Sequence, residues 1–482
     1  MNNIKIYNSF SSNVEDFKPV NKPYLIGMYT CGPTVYSFTH TGHLRTYVFE
    51  DILKKLLIQN DFLVEHVMNT TDIGHLTSDS DTGEDKMEKQ AKKENKSVYQ
   101  IANFYTKDFL WNLKQLNITR PNILAPASLH IKEQIDIIKK LENKGYVYKT
   151  SDGLYFDTSK VENYKTIFNQ NKEELKSDER IENISEKKNP TDFALWKFSP
   201  KDEKRQMEWK SPWGIGFPGW HTECVAMAFK YLGSYFDIHC GGADHIPVHH
   251  PNEIAQAEAV TGKPLAKYWI HFGFLLKNSE KMSKSSGNFT KLVDLIDLKI
   301  NPLAYRVFVL GTYYRKTADF SIEAVQSSHN ALNNLYSFSE KIKTLKWLKL
   351  FKKIKFNNIK SNDKILNQYY ENFINALNDD LNTPKAMEIL WSMVSDINKN
   401  IYSFNPSSIL KTLNKFDSIL SLNIVNHKVD RIPWKIKVLA KKRFVFKKQK
   451  KFELSDQLRD QITTLGYQIN DYQTFYTISK IK

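Results

Sequence analysis

The feature that most constrains the fold is a strand–helix–strand pattern near the amino terminus. The segment "YLIGMYT" (24–30) has the apolar character of a short buried strand, and "FLVEHVMN" (62–69) is a second one. Between them, apolar side chains recur every four positions, which predicts a helix with one buried face: Leu44, Val48, Ile52 and Leu56. This order is a βαβ unit, which builds a parallel sheet with ligands at the carboxyl ends of its strands.

The rest of the chain predicts several domains. At 482 residues it is too long for one ordinary core. A second α/β region begins near residue 211, and the polar segment 160–190 before it is typical of an insertion. From about residue 320 the chain has long helical patterns with almost no glycine. We therefore expect an α/β fold, with a Rossmann-like parallel sheet split by an insertion, followed by an all-α helical bundle and a small C-terminal domain.

Charge and cysteine content narrow the class of protein. The formal net charge is +16, which suits a polyanionic partner such as nucleic acid, although a general bias toward lysine would produce the same excess. Residues 431–482 hold 13 basic and 4 acidic side chains, interleaved with aromatic residues. Three cysteines make no disulfide framework, no secretory signal is evident, and no apolar run reaches about 18 residues. We expect a reduced, cytoplasmic protein without a membrane segment.

Two short motifs are candidates for phosphate binding. "HTGH" (40–43) lies in the turn between the first strand and the helix, where free N–H groups attract phosphate. His40 and His43 can donate hydrogen bonds there, and Gly42 permits close approach of a ligand to the backbone. "KMSKS" (281–285) follows a later predicted strand, and Lys281 and Lys284 suit a loop that neutralises a triphosphate. Either motif alone is weak evidence, because an exposed lysine loop is common in a basic chain.

Four dispersed residues are candidates for metal binding. His249 and Glu253 are four residues apart and share one face at the start of a helix. Cys224 lies at the start of another helix and Cys31 at the end of the first strand, so one sheet edge could bring all four together. Two thiolates and an imidazole favour zinc over magnesium.

The same residues have a plainer interpretation, and two others compete with them. Free cysteines are often simply buried. His250 lies one residue beyond the spaced pair, and Cys240 ends a predicted strand, so either is an alternative ligand. Spacing alone leaves these possibilities open.

In combination these motifs resemble a known family, the cysteinyl-tRNA synthetases, which are class I aminoacyl-tRNA synthetases. The resemblance covers nearly the whole chain and follows the family's order of motifs: "YTCGPTVYSFTHTGHLRT" (29–46), "PGWHTEC" (218–224), "FDIHCGGAD" (236–244), "HHPNEIAQ" (249–256), "EKMSKSSGN" (280–288) and "DDLNTP" (379–384). Thr41 departs from the pattern, because the family's HIGH motif usually has isoleucine there.

The resemblance implies roles for individual residues. One zinc ion would be held by Cys31, Cys224, His249 and Glu253. The pocket for the amino acid would include Thr71, Trp220 and Asp244. His40, Gly42, His43, Lys281 and Lys284 would bind ATP, the two histidines and two lysines also acting in catalysis. Residues 443–462 resemble the family's anticodon-domain pattern, which implies tRNA contacts by Arg443, Lys447, Asp456 and Arg459.

The resemblance also implies a reaction and a domain plan. L-Cysteine and ATP, with Mg²⁺, would give cysteinyl-adenylate, and the cysteinyl group would pass to the 3′ end of tRNA(Cys); we expect a monomer. The expected segments are two halves of the catalytic domain (1–120 and 211–275), a connective insertion (121–210), the KMSKS loop with a stem-contact region (276–320), a helical bundle (321–425) and a basic anticodon-binding domain (426–482).

Two alternatives compete with this interpretation. A related ligase could activate cysteine and pass it to a small amine, but it would not need the basic, aromatic C-terminal segment. A non-catalytic RNA-binding relative could keep the fold, but it would be expected to lose the histidine, lysine and metal-binding candidates, all of which are present.

Overall fold

The computed structural model describes residues 3–74, 85–169, 186–200, 205–282, 288–350, 359–427, 432–472 and 475–480. Within these ranges, no helix combines the length and the apolar character needed to cross a lipid bilayer.

The strands of the described residues are, in chain order, β1 (Lys5–Asn8), β2 (Asn13–Asp16), β3 (Leu25–Thr30), β4 (Leu63–Thr70), β5 (Ile123–Pro126), β6 (Val147–Lys149), β7 (Gly153–Phe156), β8 (Phe193–Phe198), β9 (Trp209–Ser211), β10 (Gly214–Pro218), β11 (Phe236–Gly242), β12 (Ala266–Phe272), β13 (Leu275–Lys277), β14 (Glu280–Lys281), β15 (Ala318–Phe320), β16 (Tyr467–Asp471) and β17 (Tyr476–Lys480).

The α-helices of the same residues are α1 (Thr41–Gln59), α2 (Lys86–Glu94), α3 (Val98–Gln115), α4 (Ile131–Asn143), α5 (Trp220–Leu232), α6 (His249–Thr261), α7 (Leu292–Asp297), α8 (Pro302–Leu310), α9 (Ile322–Leu350), α10 (Ile359–Asn378), α11 (Thr383–Lys399), α12 (Pro406–Leu420), α13 (Trp434–Lys448) and α14 (Phe452–Thr464).

A five-stranded parallel sheet confirms the predicted α/β class. Its strand order is β12-β11-β3-β4-β5, and every neighbouring pair is parallel. The chain moves from β3 outward to β4 and β5 on one side, and β11 and β12 extend the sheet on the other. The strand order therefore reverses between β3 and β11, where open α/β sheets bind ligands beyond the strands' carboxyl ends.

Helix α1 packs as its sequence pattern predicts. Its four-residue stripe is fully buried: Leu44, Val48, Ile52 and Leu56. The helix also buries Asp51, whose carboxylate is 2.5 Å from the guanidinium of the equally buried Arg306 in α8. Because each charge is neutralised by the other, both can enter the interior.

The insertion lies between β5 and α5, but its limits differ from those predicted. β5 pairs with β4, so the parallel sheet extends beyond the expected boundary at residue 120. β10 pairs with β8 and β9 in the antiparallel sheet β6-β7-β8-β10-β9, so the insertion extends beyond the expected restart at residue 211. Strand pairing decides both limits, and the short strands involved lack a strong sequence signal. Most of the expected lobe at 160–190 lies outside the described residues.

The chain divides into two compact units. The first comprises Met1–Val325 with Ala376–Pro384, and it contains both large sheets. The second comprises Gln326–Asn375 with Lys385–Lys482, and it contains most of the long helices. Within the second unit, α13, α14 and the hairpin β16–β17 share a small core around Ile436, Ala440 and Ile462.

Candidate active site

The predicted functional residues gather at the carboxyl edge of the parallel sheet. Cys31 directly follows β3, and its backbone N–H donates to the carbonyl oxygen of Cys240 in β11, at 3.2 Å. Thr71 directly follows β4. The neighbouring helices α5 and α6 begin at Trp220 and His249. The edge between β3 and β11 thus collects residues from distant parts of the chain.

Four buried side chains, here termed the first ligand set, converge at this edge. One donor atom from each lies within 4.8 Å of the others: Cys31, Cys224, His249 and Glu253. His249 Nε2 is 3.6 Å from Cys224 Sγ and 2.7 Å from Glu253 Oε1. The four residues singled out from the sequence are therefore brought together.

Other side chains orient these donors. Nδ1 of His221 lies 2.9 Å from Nδ1 of His249, which directs Nε2 of His249 toward the cysteines. The indole of Trp220 stacks on the same imidazole, with ring centroids 4.0 Å apart. Nε2 of His239 lies 2.6 Å from Oε2 of Glu253. Outer contacts of this kind hold metal ligands in place.

The electrostatics of the cluster favour a positive charge at its centre. Burial opposes the imidazolium, but Glu253 and Cys224 outweigh it and raise the pKa of His249 to about 10. Burial likewise opposes the Glu253 carboxylate, yet His239 and His249 hold its pKa well below the usual range. For Cys224, burial is outweighed by hydrogen bonds with Cys31 and His249, which lower the thiol pKa to about 7.

The first ligand set fits a metal ion. Oε1 of Glu253 is buried and makes no hydrogen bond within the described part of the chain, although it points at the shared centre. Two sulfur atoms, one imidazole nitrogen and one carboxylate oxygen match the donors that zinc accepts, whereas magnesium prefers oxygen alone.

A second, overlapping group shares two members with the first. This second ligand set, also buried with donor atoms within 4.8 Å of one another, consists of Cys31, His239, His250 and Glu253. His250, an alternative ligand in the sequence, therefore belongs to the site. Cys240, the other alternative, is fully buried in β11 but belongs to neither set.

The HIGH turn lies at the N-terminus of α1. The rings of His40 and His43 stack with centroids 3.7 Å apart. A methyl group at Gly42 would lie 3.0 Å from Nδ1 and Cε1 of His40, so glycine is needed to accommodate that ring. The hydroxyl of Thr41 contacts the sulfur of Met282 at 3.3 Å, which joins the turn to the KMSKS segment.

The two candidate lysines are only partly within the described structure. The backbone of Lys281 forms the end of β14, and Lys284 lies outside the described residues.

Two of the three candidate pocket residues adjoin the ligand set directly. Thr71 Oγ1 donates to Oε2 of Glu223 at 2.9 Å, and Trp220 stacks on His249. Asp244 is exposed in the turn that follows β11. Glu223 is a functional candidate that the sequence analysis missed; it is fully buried, and burial raises its pKa well above the usual range. Its position next to Cys224 in "TEC" was the available signal.

The four candidate tRNA contacts surround one acidic residue in the second unit. Lys447 Nζ and Arg459 Nη2 lie 2.8 Å and 2.9 Å from Asp471 Oδ2, and Arg443 pairs with the other carboxylate oxygen. Asp456 is 4.0 Å from Arg459. Arg443 is only 1% exposed, so its predicted role as an RNA contact is replaced by a structural role: it ties α13 to β16.

Comparison with known proteins identifies the family. A family model described as "tRNA synthetases class I (C) catalytic domain" matches residues 17–330, and one described as "DALR domain" matches residues 372–424. Cysteine--tRNA ligase 1 of Burkholderia lata is 41% identical over 472 residues, covering 97% of this chain and 95% of the relative. The chain belongs to the cysteine--tRNA ligase family. Another member, from Treponema denticola, is 41% identical over 491 residues, covering 97% and 98%.

Solved structures of other synthetases share the fold of this cysteine--tRNA ligase family member. Methionyl-tRNA synthetase of Mycobacterium tuberculosis, in complex with methionyl-adenylate, aligns with a TM-score of 0.57 at 15% identity, covering 83% of this chain and 89% of that chain. A LeuRS–tRNA–LeuAMS complex from Agrobacterium radiobacter K84 aligns with a TM-score of 0.59 at 11% identity, covering 84% of each. At these identities the likeness concerns the fold.

Proposed function

We propose that the chain catalyses the reaction for which its relatives are named. It activates L-cysteine with ATP to form cysteinyl-adenylate, and it transfers the cysteinyl group to the 3′ end of tRNA(Cys). The observation that carries this proposal is the first ligand set, a thiol-containing buried cluster at the switch point of the parallel sheet. The names of the relatives support the same reaction.

We further propose that the first ligand set holds one zinc ion. When bound, zinc accepts a thiolate readily and a neutral hydroxyl poorly, which separates cysteine from serine, a distinction that pocket shape makes badly. His221 holds the ring of His249, and His239 holds the carboxylate of Glu253. These contacts orient the ligands in advance, so less ordering is needed when the ion binds.

The phosphate end of the reaction is assigned to the HIGH turn. His40 and His43, together with the first N–H groups of α1, bind and stabilise the phosphates of ATP as charge builds on them. Lys281 and Lys284 neutralise the same phosphates, and Mg²⁺ accompanies ATP. No protein nucleophile is needed, since the carboxylate of cysteine attacks the α-phosphate and positioning with electrostatics lowers the barrier.

The remaining part of the amino acid is assigned to the pocket residues. Thr71 and Trp220 adjoin Glu223 and His249, so they line the space beside the ligand set. The exposed carboxylate of Asp244, at the same sheet edge, suits the ammonium group of an amino acid.

The second unit is proposed to bind tRNA. Residues 321–425 form the helical bundle, and residues 426–482 bind the anticodon with Lys447, Asp456 and Arg459 as candidate contacts. Their positive charge excess suits the phosphates of RNA. We place the enzyme in the cytoplasm and expect it to act as a monomer.

Two assays test the proposal. Exchange of pyrophosphate into ATP should require cysteine and not respond to serine, and total tRNA should be charged with labelled cysteine. Cys224→Ser should abolish both, whereas Cys240→Ser, at an equally buried thiol outside both ligand sets, should retain them. Exchange without charging would instead indicate transfer to a small amine, and absence of exchange would contradict the proposal.

A further inference from the structure

The second ligand set has no role in the proposed reaction, although its geometry is that of a cation site. It brings one thiol, two imidazoles and one carboxylate to within 4.8 Å of one another, all of them buried. Nε2 of His250 is 3.5 Å from Sγ of Cys31, and Nε2 of His239 is 2.6 Å from Oε2 of Glu253.

We propose that a second divalent cation binds beside the first. Cys31 and Glu253 would bridge the two positions, His239 and His250 would complete the second, and Cys224 and His249 would complete the first. This inference rests on the first cation position that is part of the proposed function.

The carboxylate of Glu253 is arranged to serve two positions at once. Its Oε1 lies 2.7 Å from Nε2 of His249, and its Oε2 lies 2.6 Å from Nε2 of His239. One oxygen therefore faces the terminal nitrogen of each set. A carboxylate that served a single position would need only one of these oxygens, so the division favours simultaneous occupation over movement of one ion between alternative positions.

The terminal histidines of the second set are held as metal ligands usually are. Nδ1 of His250 is 2.8 Å from Nε2 of His271, so the opposite ring nitrogen of His250 is directed at Cys31. The ring of His239 stacks on Trp269 with centroids 4.5 Å apart. Both rings are thus fixed by groups outside the second set.

Charge and ligand type define which cation would bind. The two sets together supply at most two thiolates and one carboxylate, so one divalent cation leaves a negative charge unmatched in a buried site. A second divalent cation reverses the sign, and one anionic donor, such as a substrate thiolate, would then complete neutrality. Sulfur with imidazole selects zinc or cadmium and not magnesium.

Cadmium binding to the full chain tests the proposal. Chelator-treated protein is titrated with ¹¹³Cd²⁺, passed through a desalting column and analysed for bound metal and by ¹¹³Cd NMR. We expect two equivalents and two resonances, the one with two sulfur ligands lying downfield of the one with a single sulfur ligand. His250→Ala should retain one equivalent and lose the upfield resonance.

A matched variant controls for the loss of a buried imidazole. The ring of His245 lies 4.9 Å from that of His250 but belongs to neither ligand set, so His245→Ala should keep both equivalents. If circular dichroism shows that His250→Ala is unfolded, His239→Gln replaces it, with the same expected loss.

The possible outcomes separate this inference from the proposed function. A single equivalent in the unsubstituted protein, or two in His250→Ala, overturns the second position and leaves the proposed function intact. Failure to bind any cadmium overturns the second position together with the zinc of the proposed function. Cysteine-dependent pyrophosphate exchange then measures separately whether the ligase activity remains.

Discussion

Asp380 is the residue at which the structure makes the sharpest stability prediction. Its carboxylate accepts hydrogen bonds from the Tyr7 backbone N–H at 2.8 Å, from the Tyr314 hydroxyl at 2.5 Å, and from the Arg315 guanidinium at 2.8 and 3.0 Å. The Tyr313 hydroxyl donates to the same group. Asp380 is 4% exposed, so one buried carboxylate joins the start of the chain, the loop after α8 and the segment before α11.

Asp380→Asn removes the charge without straining the backbone. Asp380 has a φ of +55°, and asparagine tolerates the left-handed region as well as aspartate does. The amide group of asparagine, however, would face donors instead of accepting from them. Breaking a buried charge pair costs about 3–5 kcal/mol, and because Arg315 is 34% exposed and partly solvated, we expect the lower value, about 3 kcal/mol.

The measurement is urea unfolding of the full chain, with hydrogen exchange used to locate the effect. We expect a lower midpoint for the first unit and faster amide exchange over residues 312–316. Asp379→Asn is the matched control, because Asp379 is exposed and its substitution should change stability by less than about 0.5 kcal/mol. Equal midpoints for the two variants would refute the reasoning.

Three further predictions concern the site and the core. Gly42→Ala places a methyl group 3.0 Å from the His40 ring, so cysteine-dependent pyrophosphate exchange should fall while the urea midpoint stays nearly unchanged; unchanged exchange would contradict the packing argument. Removal of zinc by a chelator should erase a cysteine-over-serine preference of about 10⁴-fold in adenylate formation, and zinc should restore it. Although burial opposes ionisation, Arg306 holds the pKa of Asp51 below its ordinary value, so the pair stabilises the fold above about pH 4 and loses this contribution as pH falls. Asp51→Asn should therefore cost about 3–5 kcal/mol at pH 7 and much less near pH 3, compared by urea unfolding at both values.

Residues that the sequence analysis missed share a physical reason. His239 and His221 are not in recognisable ligand spacing, since each belongs to an element whose other residues are apolar or small. Their partners, Glu253 and His249, are distant in sequence and approach only when α6 packs beside β11 and α5. A single buried histidine in a strand gives no warning of the carboxylate that it will contact.

Arg443 illustrates the opposite error. A basic residue in a basic segment suggests contact with RNA, and its family pattern gave no indication of burial. In the structure the Asp471 carboxylate, presented by β16, draws the guanidinium inward. Which of several arginines and lysines remains exposed depends on where one acidic side chain falls, and charge composition does not carry that information.

The sequence alone determined what local pattern and chemistry can specify. Periodic apolar residues determined α1, the order of strands and helices determined a parallel α/β sheet, and the motif order determined the family resemblance. Tertiary structure decided the boundaries of the insertion, the second ligand set and the internal role of Arg443. The division has one cause: hydrophobic periodicity and backbone preferences act over a few residues, whereas a metal-binding cluster or a buried ion pair exists only after strands and helices from distant segments have packed together.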